Sequence, residues 1–502
     1  MRYPRSSGIL LHPTSLPGRF GIGDLGPEAH RFIDFLHATG QSIWQVLPLG
    51  PTGYGDSPYQ CFSAFAGQPL LISPELLVEQ GHLSPGDLDL APRLSDDEVD
   101  FGAVIEYKAV LHQRAFAQFR DRGDPQERAE FVRFCADKAA WLDAYALFMA
   151  LKERHGGAAW TTWEKDIAAR HPDALAHHTE CLATDIAYHQ YLQYQFFKQW
   201  SALKTRAHAL GIRIIGDIPI FVAHDSADVW ANPHLFHLDE NGERLVQAGV
   251  PPDYFSTTGQ LWGNPLYRWE RMARDGFAWW IERFRAVFEL VDIVRLDHFR
   301  GFEAYWEVPG SEKTAVRGQW VKGPGTALFE AVEKALGRLP IIAEDLGLIT
   351  PPVRELRDHF GFPGMRIFQF GFASDAHDAF LPHNYVNNCV VYTGSHDNDT
   401  TRGWFETCTE KEREAALAYF GTDGSDIAWD FIRWLLASVA DTAVVPLQEV
   451  LGLGTEARMN YPSRLGGNWS WRFRSEDPTP DIRRRLNRLT QAYGRCPPGS
   501  AA

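Results

Sequence analysis

The chain has 502 residues, 45% hydrophobic and 23% charged, a soluble globular composition long enough for several domains or for one domain with large insertions. Its 64 acidic residues outnumber the 49 basic ones, for a formal net charge of −15. That balance argues against nucleic acid and anionic membrane as partners, since both need a basic surface, and leaves neutral ligands open.

The six cysteines are scattered, with no CxxC and no Cys/His metal spacing. No run of about 18 apolar residues marks a membrane span. The opening "MRYPRSSGILLHPTSLPG" holds too short an apolar run for a signal peptide. A reduced, cytoplasmic protein is the expectation. Neither a metal nor a cofactor is expected. The oligomeric state stays open, with a monomer preferred.

Short apolar runs bounded by turn residues predict buried parallel strands. In chain order they are "GILLH", "SIWQVLPL", "IRIIGDIPI", "VDIVRLD", "LPIIAEDLG", "MRIFQFGF", "CVVYTGSHD" and "TAVVPLQEVL". Helical patterns such as "GPEAHRFIDFLHATG" and "GTALFEAVEKALGRL" lie between most of them. Eight alternating units predict a (β/α)8 TIM barrel, with an open doubly wound sheet as the competing α/β architecture. The barrel is expected to start in residues 1–66, to be interrupted by a helical insertion over 67–185, and to resume over 186–502. Two further irregular stretches are expected, an aromatic loop insertion over about 221–288 and a shorter one over about 307–325. No separate C-terminal β-sandwich is expected. The run Tyr188, Tyr191, Tyr194, Phe197 and Trp200 has helical spacing and reads as packing.

Residues i and i+2 of a strand share a face. On that rule Arg213, Ile215 and Asp217 share a face, as do Ile293, Arg295 and Asp297, and Ile342 and Glu344. The same rule groups Val391, Thr393, Ser395 and Asp397 in the seventh strand. Four strands therefore end in an acid at the C-terminal edge, which is the active-site rim of a barrel. Such carboxylates can ligate a divalent cation or perform acid/base and nucleophilic chemistry on a glycoside. The 17 tryptophans favour sugar, because indole faces stack on the C–H faces of pyranose rings.

The segments "GDIPIFVAHDSADVWANP", "VRLDHFRGF", "IIAEDLG" and "YTGSHDNDT" resemble the four signature regions of the α-amylase superfamily. Their wording is similar to that of the amylomaltases, the 4-α-glucanotransferases of glycoside hydrolase family 77. The likeness extends to "GILLHPTSLPGRFGIGDLG", "WQVLPLGPTGYGDSPYQ", "GVPPDYFSTTGQLWGNPLY" and "NWSWRF".

This resemblance implies that Asp297 is the nucleophile, Glu344 the general acid/base and Asp397 the third, transition-state-binding acid. It further implies that Asp217, Arg295, His298 and His396 surround the reacting sugar, and that Ser57 and Tyr59 contact substrate. Tyr254, Phe255 and Trp262 would form an aromatic loop over the glucan, and Asn468 would add donor-side contacts. Ser395 stands where many relatives carry Thr. The implied reaction is a retaining double displacement on α-1,4-glucan donors and acceptors, with the carboxyls of Asp297 and Glu344 about 5–5.5 Å apart. The residues themselves leave three alternatives open: an amylase-like hydrolase, a metal-dependent barrel enzyme and a noncatalytic glucan-binding protein.

Overall fold

The computed structural model describes residues 4–252, 256–464 and 466–497. Eight strands close into a parallel barrel: Ser6–Leu10, Ile43–Gln45, Arg213–Ile218, Ile293–Leu296, Ile341–Ala343, Gly364–Ile367, Cys389–Tyr392 and Thr442–Pro446. Each pairs with its successor, and the last closes on the first through the register Ser6↔Thr442 to Leu10↔Pro446. All eight are the apolar runs read from the sequence. They form a closed barrel and not an open sheet, because no strand is left with an unpaired edge. After the eighth strand the described residues hold helices and no further strand.

The barrel lumen is packed by Leu10, Ile43, Ile215, Ile293, Ile342, Met365, Ile367, Val390, Tyr392 and Val444. The i, i+2 rule thus holds for strands three, four and five. It fails for strand seven, where Val390 and Tyr392 point inward and Val391 packs outward among the helices. The strand ends at Tyr392, so alternation cannot be carried on to Asp397. Asp397 reaches the rim on the loop that follows.

Between strands two and three the chain forms long helices, including Phe101–Arg122, Pro125–Arg154 and Ala183–Ala209. The second begins where Asp124 accepts from the amides of Gln126 and Glu127, with Pro125 in the first turn. It lies along Ala183–Ala209, which also packs on the third barrel strand. Tyr188, Tyr191, Tyr194 and Trp200 are buried along this helix. They are packing, as their spacing indicates: Tyr191 meets Phe116 and Phe119, and Trp200 meets Trp44.

Two buried glutamines of the same helix brace the loop that leaves strand two. Gln193 accepts from the Gly67 amide at 2.7 Å and donates to its carbonyl at 2.9 Å. Gln199 accepts from the Ser73 amide at 2.8 Å. A Cβ at Gly67 would lie 2.0 Å from the Phe196 ring, so only glycine fits that approach.

The two stretches read as irregular contain a four-stranded antiparallel sheet. Its strands are Gln260–Pro265, Val246–Val250, Ala304–Pro309 and Gln319–Lys322, in that spatial order. Residues 278–288, inside the first stretch, belong to the helix Ala278–Leu290, which packs on strands three and four. The sheet strands are only four to six residues long, so periodicity gives them little signal.

The barrel seam is latched by Arg495, whose buried guanidinium donates to the carbonyls of Leu436, Ser6, Ala440 and Ser438. Arg5 adds bonds to Ser438 and Leu436 from the other side. Removing the guanidinium takes a donor from these four buried carbonyls, of which Ser438 and Leu436 keep Arg5. Arg495→Ala is expected to cost ~2 kcal/mol or more and to lower the thermal unfolding midpoint, read by scanning calorimetry.

Candidate active site

The rim above the lumen is organised by Arg295, which rises from strand four and is buried. Its Nη1 lies 2.6 Å from Asp217 Oδ2, on the adjacent strand three, and 2.9 Å from Asp297 Oδ1. Burial works against the Arg295 charge, but the two acids outweigh it and hold the guanidinium firmly charged. Tyr59 donates to Asp217 Oδ2 at 2.8 Å. Its ring stacks on His396 at 5.0 Å, and Trp469 stands 6.0 Å from both rings.

Glu344 follows strand five and is buried. Oε2 accepts from the His298 amide and Oε1 from the Leu346 amide, each at 2.8 Å. His298 is a non-glycine residue in the left-handed region, with φ of 49°. Such a backbone costs about 1–3 kcal/mol and is held by its surroundings. Here it turns the amide next to Asp297 onto the Glu344 carboxyl. Desolvation pushes Glu344 up to about 8, against the opposing pull of Arg295 and with help from the Asp297 charge. Asp217 is also raised by burial. Burial holds the His298 imidazole neutral by lowering it to about 4. Trp262 meets the His298 ring edge to face at 4.8 Å. Asp217 Oδ1 and His298 Nε2 are enclosed and have no hydrogen-bond partner among the described residues.

Asp397 is the most open of the acids, with 49% of its side chain exposed. Its Oδ1 lies 3.5 Å from His396 Nε2 and accepts from Asn460 Nδ2 at 2.7 Å. Arg458 donates to the Asp397 carbonyl and to the Asn460 carbonyl, each at 2.8 Å. Asn460, Arg458 and Trp469 escaped the sequence reading. Their signal was positional, since the loop after the eighth strand belongs to the same rim as the acids.

Two further residues expected at the substrate bond within their own loops. Asn468 accepts from the Tyr461 amide at 2.9 Å and donates to the Arg464 carbonyl at 2.9 Å, which leaves it a second lone pair and a second N–H. Ser57 Oγ accepts from the Tyr59 amide at 3.3 Å and so shapes the loop that presents Tyr59. Tyr254 and Phe255 lie outside the described residues.

A buried carboxylic acid held protonated beside an Arg-paired carboxylate, on the rim of a (β/α)8 barrel, is the arrangement of a glycoside-processing enzyme. The family model for glycoside hydrolase family 77, described as 4-alpha-glucanotransferase, matches residues 11–477. A 4-alpha-glucanotransferase from Synechocystis sp. is 54% identical over 98% of both chains. One from Thermus thermophilus is 51% identical over 99% of this chain and 100% of its own. The amylomaltase of Streptococcus agalactiae, solved in complex with acarbose, superposes with a TM-score of 0.96 at 41% identity, over 98% of this chain and 100% of that one. The chain belongs to the 4-alpha-glucanotransferase family.

The Glu344 shift has a stability consequence. Its folded value of about 8 lies above the ordinary 4.5, so the folded chain keeps a proton that the unfolded chain releases across that window. Stability therefore falls as pH rises from about 4.5 to about 8. Glu344→Gln removes this loss, and its unfolding midpoint is expected to gain on wild type as pH rises through that range. A constant difference would contradict it. Removing the amide that holds Asp397, with Asn460→Ala, is expected to lower kcat by about tenfold with little change in the unfolding midpoint. Steady-state kinetics on maltotriose beside a thermal melt would check this.

Proposed function

We propose that this protein transfers segments of α-1,4-glucans to the 4-hydroxyl of an acceptor glucan or glucose by retaining double displacement. The observation that carries the reading is the division of charge between two carboxyls. Asp297 has the Arg295 guanidinium at 2.9 Å, while Glu344 is buried and raised to about 8.

Asp297 attacks the anomeric carbon as Glu344 gives its proton to the departing glycosidic oxygen, and a covalent glycosyl-enzyme forms. Glu344, now ionised, takes the proton of an incoming 4-hydroxyl, whose oxygen attacks the anomeric carbon and releases Asp297. Asp397 accepts hydroxyl hydrogen bonds that tighten as the ring flattens toward the transition state. The Tyr59–His396 stack and neutral His298 flank the sugar bound at the nucleophile, and enclosed Asp217 orients Arg295 and Tyr59. Trp262, beside His298, offers a face to the glucan. Water as acceptor would make the same residues a hydrolase. Membership of the transferase family favours a sugar acceptor, and the Tyr254–Phe255 segment is proposed to exclude water from the glycosyl-enzyme. A cytoplasmic location is proposed on the six cysteines, none of which forms a disulfide.

Purified protein given maltotriose is expected to yield glucose and a ladder of longer maltooligosaccharides at constant reducing ends. Asp297→Asn should abolish the ladder, and Glu344→Gln should slow it by ~10²–10⁴-fold. Because Glu344 must be protonated to act as acid, wild-type kcat/KM should fall as pH passes about 8. Rising reducing ends with only shorter products would overturn the transferase reading in favour of hydrolysis.

A further inference from the structure

The outer sheet carries an exposed aromatic face that the reaction scheme does not use. Trp320, in the edge strand Gln319–Lys322, is 39% exposed. It pairs across the antiparallel ladder with Trp306, and the two rings meet edge to face at 5.2 Å. Its inner side lies on the guanidinium of Arg300, 3.8 Å from the ring centroid. Arg300 is itself buried and donates to the Leu348 carbonyl.

We propose that the open face of Trp320 is an additional α-glucan platform, which engages chains longer than those the cleft alone can hold. The proposal rests on the glucan reading above. A flat indole, fixed from beneath by a buried cation and from the side by Trp306, offers a pyranose ring a stacking surface with little ordering cost. The platform is tied to the catalytic rim through two connections. Arg300 lies two residues beyond His298, whose amide holds Glu344 Oε2. The Leu348 that Arg300 grips lies two residues beyond Leu346, whose amide holds Glu344 Oε1. A glucan on Trp320 would therefore be linked to the turns that hold Glu344 only through the indole and the Arg300 beneath it.

Size and charge favour a sugar over a protein here. Two-fifths of an indole side chain is roughly 100 Å², the footprint of a glucose unit, whereas a protein partner needs about 800 Å². The neighbouring charges are matched, with Lys322 paired to Glu303, and Gln319 donates to Glu307. A neutral polyhydroxylated chain suits that border.

The test compares wild type, Trp320→Ala and Trp320→Phe on maltotriose and on long amylose. The KM for amylose divided by the KM for maltotriose is expected to rise about fivefold in Trp320→Ala and to return toward wild type in Trp320→Phe. In a native gel containing amylose, Asp297→Asn protein should be retarded more than the Asp297→Asn, Trp320→Ala double variant. An unchanged ratio with equal gel retardation, or an equal loss on both substrates, would overturn the platform. Failure of wild type to lengthen maltotriose would sink the functional reading instead, while the gel still judges the platform.

Discussion

One buried cation sets the chemistry of the site. Arg295 stands over an apolar lumen and is shared between Asp217 and Asp297. Burying charge is expensive unless it is paired, and this guanidinium pairs two acids at once. Tyr59 takes up part of the remaining hydrogen-bonding capacity of Asp217. Glu344, buried nearby, keeps its proton chiefly because it is desolvated, which outweighs the pull of Arg295. Two chemically similar carboxyls thus differ because one is paired to the guanidinium while the other is stripped of water.

Everything around this allotment works to hold it still. The acids stand at or just past strand ends, where the barrel ladder is rigid. The left-handed turn at His298 converts the residue after Asp297 into a donor for Glu344. The loop that presents Tyr59 is pinned from behind by Gln193 and Gln199, whose helix is in turn packed by its own row of tyrosines. The helices between strands two and three therefore position a site they do not enter.

The strands were legible because burial on both faces writes them as unbroken apolar runs, and Asp217, Arg295 and Glu344 were legible because alternation persists to the last paired residue. Asp397 shows where that reasoning stops. It was picked for the right neighbourhood by a periodicity that had already ended at Tyr392. The outer sheet was missed since strands of four to six residues carry too few alternations to stand out from loop. Asn460 was missed because a neutral amide carries no compositional mark; only its contact with Asp397 gives it away. Asn468 was chosen from a motif, and its carboxamide also ties its own turn together. The roles proposed for the acids came from family likeness, and a raised Glu344 beside an Arg295-paired Asp297 was expected with them, while the burial that raises Glu344 is visible only in three dimensions.

The latch at the barrel seam bears on how the molecule is made. Ser6 and Thr442, hydrogen-bonding neighbours across the seam, are 436 positions apart in the chain. During synthesis the first strand emerges long before its partner, and the curved sheet must wait with two open edges until the eighth strand and Arg495 leave the ribosome. Closure is thus a late event of high contact order, and the half-built barrel is the species that chaperones would have to guard.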